Sequence, residues 1–410
     1  MNETSNRALP RTRRPGSVEP LNCHYFDAGS CRSCALLATP YETQLADKVA
    51  RCGALLATVP QSAWLPPFSG GDRGFRNRAK LVVGGSRAAI TLGILGPDGQ
   101  GVDLRECAIQ APGIAAVIPT LAAFIESTGL APYEVPARRG ELKFVHVTLA
   151  PSGALMLRFV TRTEHGLNVL RSRCARLREL IPNAAVISVN LLPEHKAVLE
   201  GEREELLHGS ALAMELDRVT LYLRPQSFFQ TNTAVAAELY AQVAEWVSAI
   251  DPTSVWDLYC GVGGFALHVT APGRAVLGVE ISEAAVESAR RSAAESAPRA
   301  EAEAAEAGGT GGADFVAADA TAFAVASAPS DVPEVVIVNP PRRGLGPVLA
   351  EWLETSGVPW VVYSSCNPES LARDLAAMPA FAVRSGRVFD MFPHTNHLEV
   401  AVLLERQIAD

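Results

Sequence analysis

The pattern of hydrophobic and polar positions changes near residue 227. Between about residues 75 and 225, short apolar runs of the β type predict strands. These runs are Lys80–Val83, Phe144–Leu149, Leu155–Val160 and Ala185–Leu191. Two stretches with helical spacing, Gly113–Thr128 and Gly166–Leu180, lie among them. This mixture of short strands and helices predicts an α+β middle domain over residues 75–225.

After residue 227 strands and helices alternate. The stretch Asn232–Ile250 predicts an amphipathic helix, with Thr231 or Asn232 as its N-cap, because its apolar residues recur every three or four positions. The strands predicted next are Val255–Cys260, Ala275–Glu280, Asp314–Ala318, Glu334–Asn339 and Trp360–Ser364, with helices at Ser282–Ala294 and Glu369–Met378. This alternation predicts an α/β fold with a mainly parallel, Rossmann-like sheet. The Ala-, Glu- and Gly-rich stretch 295–313 is predicted to be a solvated loop.

The chain of 410 residues is long enough for two or three domains. Residues 1–20 are polar and predict a disordered arm. Three cysteines then mark a segment over 21–74, which contains a predicted helix at 41–57. We therefore expect a disordered arm, a cysteine-cluster segment, the middle domain over 75–225 and the Rossmann-like domain over 226–410.

Charge is distributed unevenly along the chain. The net charge is −8, but residues 1–180 carry 22 Lys and Arg against 14 Asp and Glu (+8), and residues 181–410 carry 14 against 30 (−16). A basic half of this kind is typical of proteins that bind a polyanion. No stretch reaches the ~20 apolar residues of a membrane helix, and the start has no signal-peptide core. We therefore expect a cytoplasmic protein with no membrane partner, whose eight cysteines are thiols or metal ligands.

A glycine-rich turn follows the first strand of the Rossmann-like domain. Its residues 257–265 read D-L-Y-C-G-V-G-G-F, and Glu280 ends the next strand. An acidic side chain at that position can accept hydrogen bonds from both ribose hydroxyls of a nucleoside. The turn lacks the dinucleotide spacing G-x-G-x-x-G and has no lysine for phosphates. Both features favour S-adenosylmethionine over NAD or ATP.

Two further strand ends, at residues 339–344 and 364–368, lead to the same edge of the predicted sheet. Ligands of open α/β sheets bind at that edge, so Cys366 is expected beside the cofactor turn. Carbon 5 of uracil becomes a nucleophile when a thiolate adds to carbon 6, and a base must later remove the carbon-5 proton. Cys366 and Glu399 are the candidates for the nucleophile and the base.

Five sequence blocks, in this order, resemble the RNA uracil-C5 methyltransferases. They are S-F-F-Q-T-N (227–232), D-L-Y-C-G-V-G-G-F (257–265), N-P-P-R-R-G (339–344), S-S-C-N-P (364–368) and H-T-N-H-L-E (394–399). The resemblance implies that Cys366 is the nucleophile and Glu399 the base. It implies contacts to S-adenosylmethionine from Gln230, Tyr259, Glu280 and Asn339. Gly264 stands where some relatives have Asn, and Asn339 where some have Asp.

Cys23, Cys31 and Cys34, with Cys107 as a candidate fourth ligand, form a cysteine cluster. Four thiolates suit Zn²⁺ or an iron–sulfur cluster, and their spacing does not choose between the two. The block N-C-H-Y-F-D-A-G-S-C-R-S-C (22–34) and the run G-F-R-N-R-A-K (74–80) extend the resemblance to the branch that acts on 23S ribosomal RNA. That branch implies a [4Fe–4S] cluster, 23S rRNA as the partner, and no obligate protein partner.

A basic strip with one aromatic side chain lies between residues 73 and 87. It consists of Arg73, Phe75, Arg76, Arg78, Lys80 and Arg87, and we expect Lys143, Arg158 and Arg162 to extend it. Such a strip is suited to RNA phosphates and to stacking on a base. The target uracil must leave its stack to reach Cys366, and a single-stranded loop lowers the cost of that step.

The expected activity is therefore methylation of carbon 5 of a loop uridine in 23S rRNA. Three alternatives stay open. A tRNA uracil-C5 methyltransferase would share the catalytic residues but is not favoured by the cysteine cluster. An amino-group methyltransferase can use Asn-Pro-Pro but has no use for Cys366. An RNA-binding iron–sulfur protein without activity would form no covalent adduct with RNA.

Overall fold

The computed structural model describes residues 21–96, 99–196, 198–307 and 312–407. The predicted disordered arm, residues 1–20, lies outside them. The described chain begins with two helices and a two-residue strand. They are α1 (His24–Asp27), α2 (Tyr41–Leu55) and β1 (Phe68–Ser69). Helix α2 agrees with the helix that the sequence predicts at 41–57.

Seven strands and two helices form the middle region. They are β2 (Arg78–Ser86), β3 (Ala89–Leu95), β4 (Gly101–Asp103), α3 (Pro112–Thr128), β5 (Leu142–Leu149), β6 (Leu155–Thr161), α4 (Glu164–Leu180), β7 (Ala184–Leu191) and β8 (Arg203–His208). The sheet order is β4-β3-β2-β5-β6-β7-β8, and only β6 and β7 pair in parallel. Alternate residues such as Leu81 and Val145 pack in one core with α3 and α4. The mixed content confirms the predicted α+β class, while the predicted boundaries stay a prediction.

A hairpin and a long helix lead into the C-terminal region. The hairpin consists of β9 (Leu212–Leu216) and β10 (Val219–Leu223), and the helix is α5 (Thr233–Ile250). The side chain of Asn232 accepts a hydrogen bond from the Val235 backbone N–H at 3.3 Å. This bond satisfies one of the free N–H groups at the helix start and confirms Asn232 as the N-cap.

The C-terminal region contains a second sheet. Its elements are β11 (Ser254–Leu258), α6 (Gly264–His268), β12 (Ala275–Glu280), α7 (Glu283–Ala307), β13 (Gly312–Ala317), α8 (Ala320–Ala326), β14 (Val335–Val338), α9 (Pro347–Thr355), β15 (Trp360–Ser365), α10 (Pro368–Ala376), β16 (Phe381–Asp390) and β17 (Glu399–Arg406). The order is β1-β16-β17-β15-β14-β11-β12-β13. The five strands from β15 to β13 are parallel, and β17 is antiparallel to both of its neighbours. The predicted Rossmann-like sheet is confirmed.

The end of helix α7 differs from the prediction. The sequence predicts a helix ending at Ala294 and a loop over 295–313, but the helix continues to Ala307. The stretch is rich in Ala and Glu, which are strong helix formers, so the prediction of a loop from its low complexity is wrong. Residues 308–311 lie outside the described part of the chain.

Helix α2 is joined to the chain just after β16 by buried polar contacts. The Lys48 ammonium donates to Asp390 Oδ1 at 2.6 Å and to the Phe392 carbonyl at 3.0 Å. The Tyr41 hydroxyl donates to the other oxygen of Asp390 at 2.7 Å. The N-terminal segment therefore supports the loop between β16 and β17. None of the described helices combines the length and apolar character that a membrane span requires.

Candidate active site

A cavity of about 860 Å³ opens at the carboxyl edge of the C-terminal sheet. Its walls come from the loops after β11, β12, β14 and β15, from the segment before α5, and from the chain that leads into β17. Six residues predicted from the sequence line this cavity together: Gln230, Tyr259, Glu280, Asn339, Cys366 and Glu399. The parallel strands bring four of them together, because Tyr259, Glu280, Asn339 and Cys366 lie at carboxyl ends that meet at one edge. Gln230 precedes α5, and Glu399 begins the antiparallel strand β17.

The glycine-rich turn is sharp and is held by Glu280. Tyr259, Gly261 and Gly263 all have left-handed backbone conformations, with φ of 66°, 56° and 84°. The Gly261 N–H donates to one oxygen of Glu280 at 3.1 Å, and the Ser282 N–H donates to the other at 2.9 Å. Each carboxylate oxygen has a second lone pair. Glu280 is therefore fixed in the cavity wall and can still accept hydrogen bonds from a ligand.

Gly264 has a packing reason to lack a side chain. A Cβ added at this position would lie 2.6 Å from Cζ of Tyr240. The Tyr240 ring also packs edge-on against Phe265 and stacks on His268. The Tyr240 ring therefore fills the space that a side chain at position 264 would need.

Asn339, Ser364 and Glu399 form a hydrogen-bonded chain. The Asn339 amide donates to the Ser364 hydroxyl at 3.3 Å, and that hydroxyl donates to Glu399 Oε1 at 2.6 Å. Glu399 is 1% exposed. Burial raises its pKa to about 7, and the hydrogen bonds from Ser364 and Asn339 oppose that rise. Glu399 therefore titrates near neutral pH, as a general base should.

Cys366 is half-buried in the same cavity. Burial raises the pKa of its thiol, and the nearby Glu399 raises it further, whereas the Arg342 guanidinium lowers it. Arg342 is hydrogen-bonded to Nδ1 of His397 at 2.9 Å, and both side chains line the cavity. The thiol therefore lies between a carboxyl group and a cation.

The two histidines of residues 394–399 differ in position. His394 is buried, and its ring contacts the Asp72 carbonyl at 2.8 Å and the Gln44 amide at 3.3 Å. His397 lines the cavity. His394 therefore holds the loop in place, while His397 can contact a substrate.

Three residues of this site were missed by the sequence analysis. Ser364 precedes Cys366 by two positions, and Asp257 begins the glycine-rich block. Asp257 is buried, accepts a hydrogen bond from the Ala266 N–H at 2.9 Å and has its pKa raised by burial to about 8. Phe228, in the S-F-F-Q-T-N block, is 73% exposed at the cavity mouth. All three lie in blocks that carry the resemblance, and those blocks were the signal that could have found them.

The four predicted cluster cysteines line a separate cavity of about 190 Å³. They are Cys23, Cys31, Cys34 and Cys107. Across residues 21–96, 99–196, 198–307 and 312–407, no three His, Cys, Asp or Glu side chains are arranged to hold one metal ion. A [4Fe–4S] cluster binds each cysteine at a different iron, so its ligands stand further apart than those of a single ion. Four thiols around one cavity are a donor set that Zn²⁺ and a [4Fe–4S] cluster can both use, so the lining alone does not choose between them.

Part of the predicted basic strip is exposed. Arg73, Lys80 and Arg87 are exposed, whereas Arg78 donates to the Ser227 carbonyl at 2.9 Å. Arg78 therefore joins the middle sheet to the loop that carries Gln226 and Gln230. The hydrogen bond that Arg78 makes therefore supports the fold, and its guanidinium is not an exposed surface cation like those of Arg73 and Arg87.

The predicted extension of that strip is wrong for two residues. Arg158 is 1% exposed and is paired with Glu200 and Glu204. Lys143 is also buried and donates to the Glu194 carbonyl at 2.6 Å. A buried, paired cation cannot contact a phosphate chain on the surface. The third residue, Arg162, is partly exposed beside Glu141 at 3.5 Å.

Comparison with known proteins finds one matching family model and, among the similar proteins, two relatives with the same name. A family model described as tRNA (Uracil-5-)-methyltransferase matches residues 203–300 and 328–407. The 23S rRNA (uracil(747)-C(5))-methyltransferases RlmC of Serratia proteamaculans and Escherichia coli (strain K12) are each 44% identical to this chain, over 388 and 389 residues. Each match covers 94% of this chain and 100% of the relative.

A solved structure shares the whole architecture. It is the crystal structure of the Pyrococcus abyssi tRNA (uracil-54, C5)-methyltransferase in complex with S-adenosyl-L-homocysteine, with a TM-score of 0.72 and 26% identity. The match covers 96% of this chain and 87% of that one. The resemblance expected from the five sequence blocks is thus confirmed over nearly the full chain. The chain belongs to the RlmC-like branch of the RNA uracil-C5 methyltransferases.

Proposed function

We propose that this enzyme transfers a methyl group from S-adenosylmethionine to carbon 5 of a loop uridine in 23S rRNA. One observation carries the proposal: Cys366 and Glu399 line the same cavity as the turn and the acidic residue expected to hold the methyl donor. The names of the RlmC relatives support 23S rRNA and make the equivalent of uracil 747 the first candidate. Such a substrate agrees with a cytoplasmic enzyme.

Cys366 acts as the nucleophile in this proposal. Its thiol loses a proton, and the thiolate sulfur forms a bond to carbon 6 of uracil. The ring electrons move to carbon 5, which then takes the methyl group. S-adenosylmethionine would supply that group from its sulfonium: the bond between sulfur and the methyl carbon breaks, and S-adenosylhomocysteine leaves as a neutral thioether with the electron pair. Because burial and Glu399 raise the thiol pKa, the cation of Arg342 is important for forming the thiolate.

Glu399 completes the cycle in this proposal. Its carboxylate accepts the proton of carbon 5, the double bond between carbons 5 and 6 re-forms, and the Cys366 thiolate leaves. The hydrogen bond from Ser364 orients the carboxylate. A pKa of about 7 lets Glu399 take the proton and release it afterwards at neutral pH.

The methyl donor is proposed to lie along the glycine-rich turn. Glu280 would accept hydrogen bonds from the ribose hydroxyls, and Tyr259, Gln230 and Asn339 would contact the rest of the donor. The support is that all four line the cavity together with Cys366. The solved relative with S-adenosyl-L-homocysteine has the same architecture.

We also propose that Cys23, Cys31, Cys34 and Cys107 hold a [4Fe–4S] cluster. Their shared cavity and the distance of Cys107 from the others in sequence support a structural role, in which the cluster ties the N-terminal loop to the middle sheet. Protein purified without oxygen is expected to be brown and to contain iron. A colourless protein loaded with zinc would reject the cluster.

The substrate and the covalent step can be tested together. Full-length protein is incubated with S-adenosylmethionine and 23S rRNA fragments that contain 5-fluorouridine, and complexes are resolved on a denaturing gel. Fluorine at carbon 5 cannot leave as a proton, so the wild type should be trapped after methyl transfer. Cys366→Ala should give no complex, whereas the control Cys174→Ala, a thiol on α4 outside the cavity, should behave as wild type. Turnover of natural RNA by Cys366→Ala would contradict the nucleophile assignment.

Glu399→Gln tests the base separately. This variant should form the adduct on natural uridine and release methylated RNA slowly, because nothing accepts the carbon-5 proton. Release at the normal rate would contradict the base assignment.

A tRNA substrate is the second candidate. It is favoured by the description of the matching family model and by the name of the solved relative, which acts on uracil 54 of tRNA. Methylation of tRNA transcripts in preference to 23S fragments would establish it. Membership of the uracil-C5 family counts against the amino-group methyltransferase alternative.

A further inference from the structure

A second cleft, of about 490 Å³, lies on the middle sheet and outside the catalytic cavity. Strands β2 and β5 form its floor, and the loops after α3 and β7 form its walls. Its floor is apolar and its walls carry aromatic rings and cations. The side chains that matter here are Lys80, Tyr133, Lys143, Phe144, His195 and Lys196.

The charge of this cleft is of one sign. Its exposed cations are Lys80 and Lys196, while Lys143 is buried against the Tyr133 ring. No aspartate or glutamate is among the described residues that line the cleft. Burial lowers the pKa of Lys80, and the nearby cations Arg78 and Arg158 lower it further against the opposing effect of Glu200. An anion placed beside Lys80 would relieve this repulsion between cations.

Tyr133 is held in a fixed position in this cleft. The Lys143 ammonium lies 4.6 Å from the centre of its ring, and its hydroxyl is hydrogen-bonded to His195 Nδ1 at 2.9 Å. The half-buried Phe144 is a second aromatic ring in the same cleft. Fixed aromatic rings beside cations are the typical composition of sites that stack an unpaired base.

The cleft is close to the catalytic cavity along strand β2. Arg78, at one end of this path, is bonded to the Ser227 carbonyl in the wall of the catalytic cavity. Val82, four residues further on, lines the cleft. At ~3.3 Å per residue the path is about 13 Å long, which a few nucleotides can span. One RNA loop can therefore reach both sites.

We propose that this cleft binds one unpaired nucleotide of the RNA substrate, with its base on the aromatic rings and its phosphate beside Lys80 and Lys196. The inference rests on the proposed function, because it takes RNA as the substrate. A nucleotide held here adds binding energy for the loop whose uridine reaches Cys366.

The test is RNA binding by full-length variants, measured by fluorescence anisotropy with a labelled 23S rRNA hairpin. Tyr133→Leu should raise the Kd at least about fivefold, since stacking on one base is lost. Lys196→Ala should reduce the slope of log affinity against log salt by about one, since one phosphate contact is lost. At saturating RNA both variants should keep the wild-type kcat and the wild-type KM for the methyl donor.

Three matched variants serve as controls. Tyr222→Leu removes another tyrosine that lies under a cation, Arg291, but on the β9–β10 hairpin. Arg173→Ala removes an exposed charge on α4, which covers the opposite face of the middle sheet. Both should bind RNA as the wild type does. Tyr133→Phe keeps the ring without the hydroxyl and should also bind as the wild type does.

Two results would overturn the inference. One is wild-type binding by both Tyr133→Leu and Lys196→Ala, with methylation of 23S rRNA intact, which would reject the cleft and leave the proposed function standing. The other is an equal loss of binding in Tyr133→Phe and Tyr133→Leu. That result would show that the hydrogen bond to His195, and not stacking on the ring, supports RNA binding. A wild-type enzyme that methylates no 23S fragment would instead reject the proposed function.

Discussion

The catalytic cavity and the cysteine cavity both combine distant parts of the chain, yet the fold supports them differently. Groups in the catalytic cavity lie at the strand ends of one sheet, and Asn339, Ser364 and Glu399 already form a hydrogen-bonded chain there. The cysteines lie on loops beside α1, a four-residue helix with no buried residue. We infer that strand ends organise the first cavity without a ligand, whereas the second depends on what its thiols bind.

The sharpest test of this difference is the loss of Cys366. We expect Cys366→Ala to lower the methylation rate by at least about a thousandfold, because the covalent route is removed. The thiol is half-buried in the cavity wall, and replacing it with a methyl group removes one sulfur atom, so the melting temperature should stay within about 2 °C of the wild type. Single-turnover methylation and thermal unfolding measure the two effects. A large drop in stability would show that the catalytic cavity also depends on its thiol.

Glu399 tests whether the chemistry of the catalytic cavity lowers the stability of the fold. Its pKa rises from 4.5 in the unfolded chain to about 7 in the folded one. Between these values the folded chain keeps a proton that the unfolded chain has released, so the free energy of unfolding falls as the pH rises. A gap of about 2.5 pKa units corresponds to about 3 kcal/mol, which is fully present below the unfolded pKa and lost above about pH 7.

Glu399→Gln cannot ionise and should keep that stability. Urea unfolding should show the variant to be more stable than the wild type at pH 8, and the difference should be much smaller at pH 5. The control Glu351→Gln, at an exposed position on α9, should show no pH-dependent difference. An equal difference at both pH values would contradict the raised pKa.

Unlike the catalytic cavity, the cysteine cavity should lose local stability when one of its thiols is removed. Cys34→Ala is expected to remove iron and to speed amide hydrogen exchange around residues 36 and 37 by about 100-fold, or about 2.7 kcal/mol. The amides there donate to the carbonyls of His394 and Cys34. Treatment of the wild type with an iron chelator should have the same effect, and Cys174→Ala should have none. Unchanged exchange would mean that the loop is held by the protein alone.

The smallest expected effect concerns packing under the glycine-rich turn. Gly264→Ala places a methyl group 2.6 Å from the Tyr240 ring, and such overpacking costs about 1 to 2 kcal/mol. In a double-mutant cycle with Tyr240→Leu, part of that cost should disappear. Gly53→Ala, where α2 has open space, is the control and should be neutral or stabilising. Additive effects of the two substitutions would contradict the steric explanation.

The sequence predicted the elements whose pattern is local. Strand β12 and helix α5 were predicted to within one residue, and residues from all five resemblance blocks line one cavity. Strands β16 and β17 were not predicted, although they complete the sheet, because burial along β16 follows no clean alternation. The predicted end of α7 was wrong because the low complexity of residues 295–313 indicates a loop, whereas their Ala and Glu content favours a helix.

Buried charges were the harder problem. Arg158 was expected on the RNA surface because arginine is rarely buried without a partner. Its partners, Glu200 and Glu204, lie more than 40 residues away in sequence and reach it only through the order of strands β6, β7 and β8. Nothing local in the sequence indicates such a pairing. For the same reason the link between Gln44 and His394, 350 positions apart, could not be predicted.

The contacts between the N-terminal segment and the C-terminal sheet have a consequence for how the enzyme is made. Strand β1 adds to the edge of the C-terminal sheet at β16, and α2 binds the loop that leads into β17. Strand β17, which begins with Glu399, lies between β15 and β16 and is the last strand of the described chain. A chain that has not yet been synthesised through β17 cannot form this arrangement, so the sheet that carries Glu399 is completed late in synthesis.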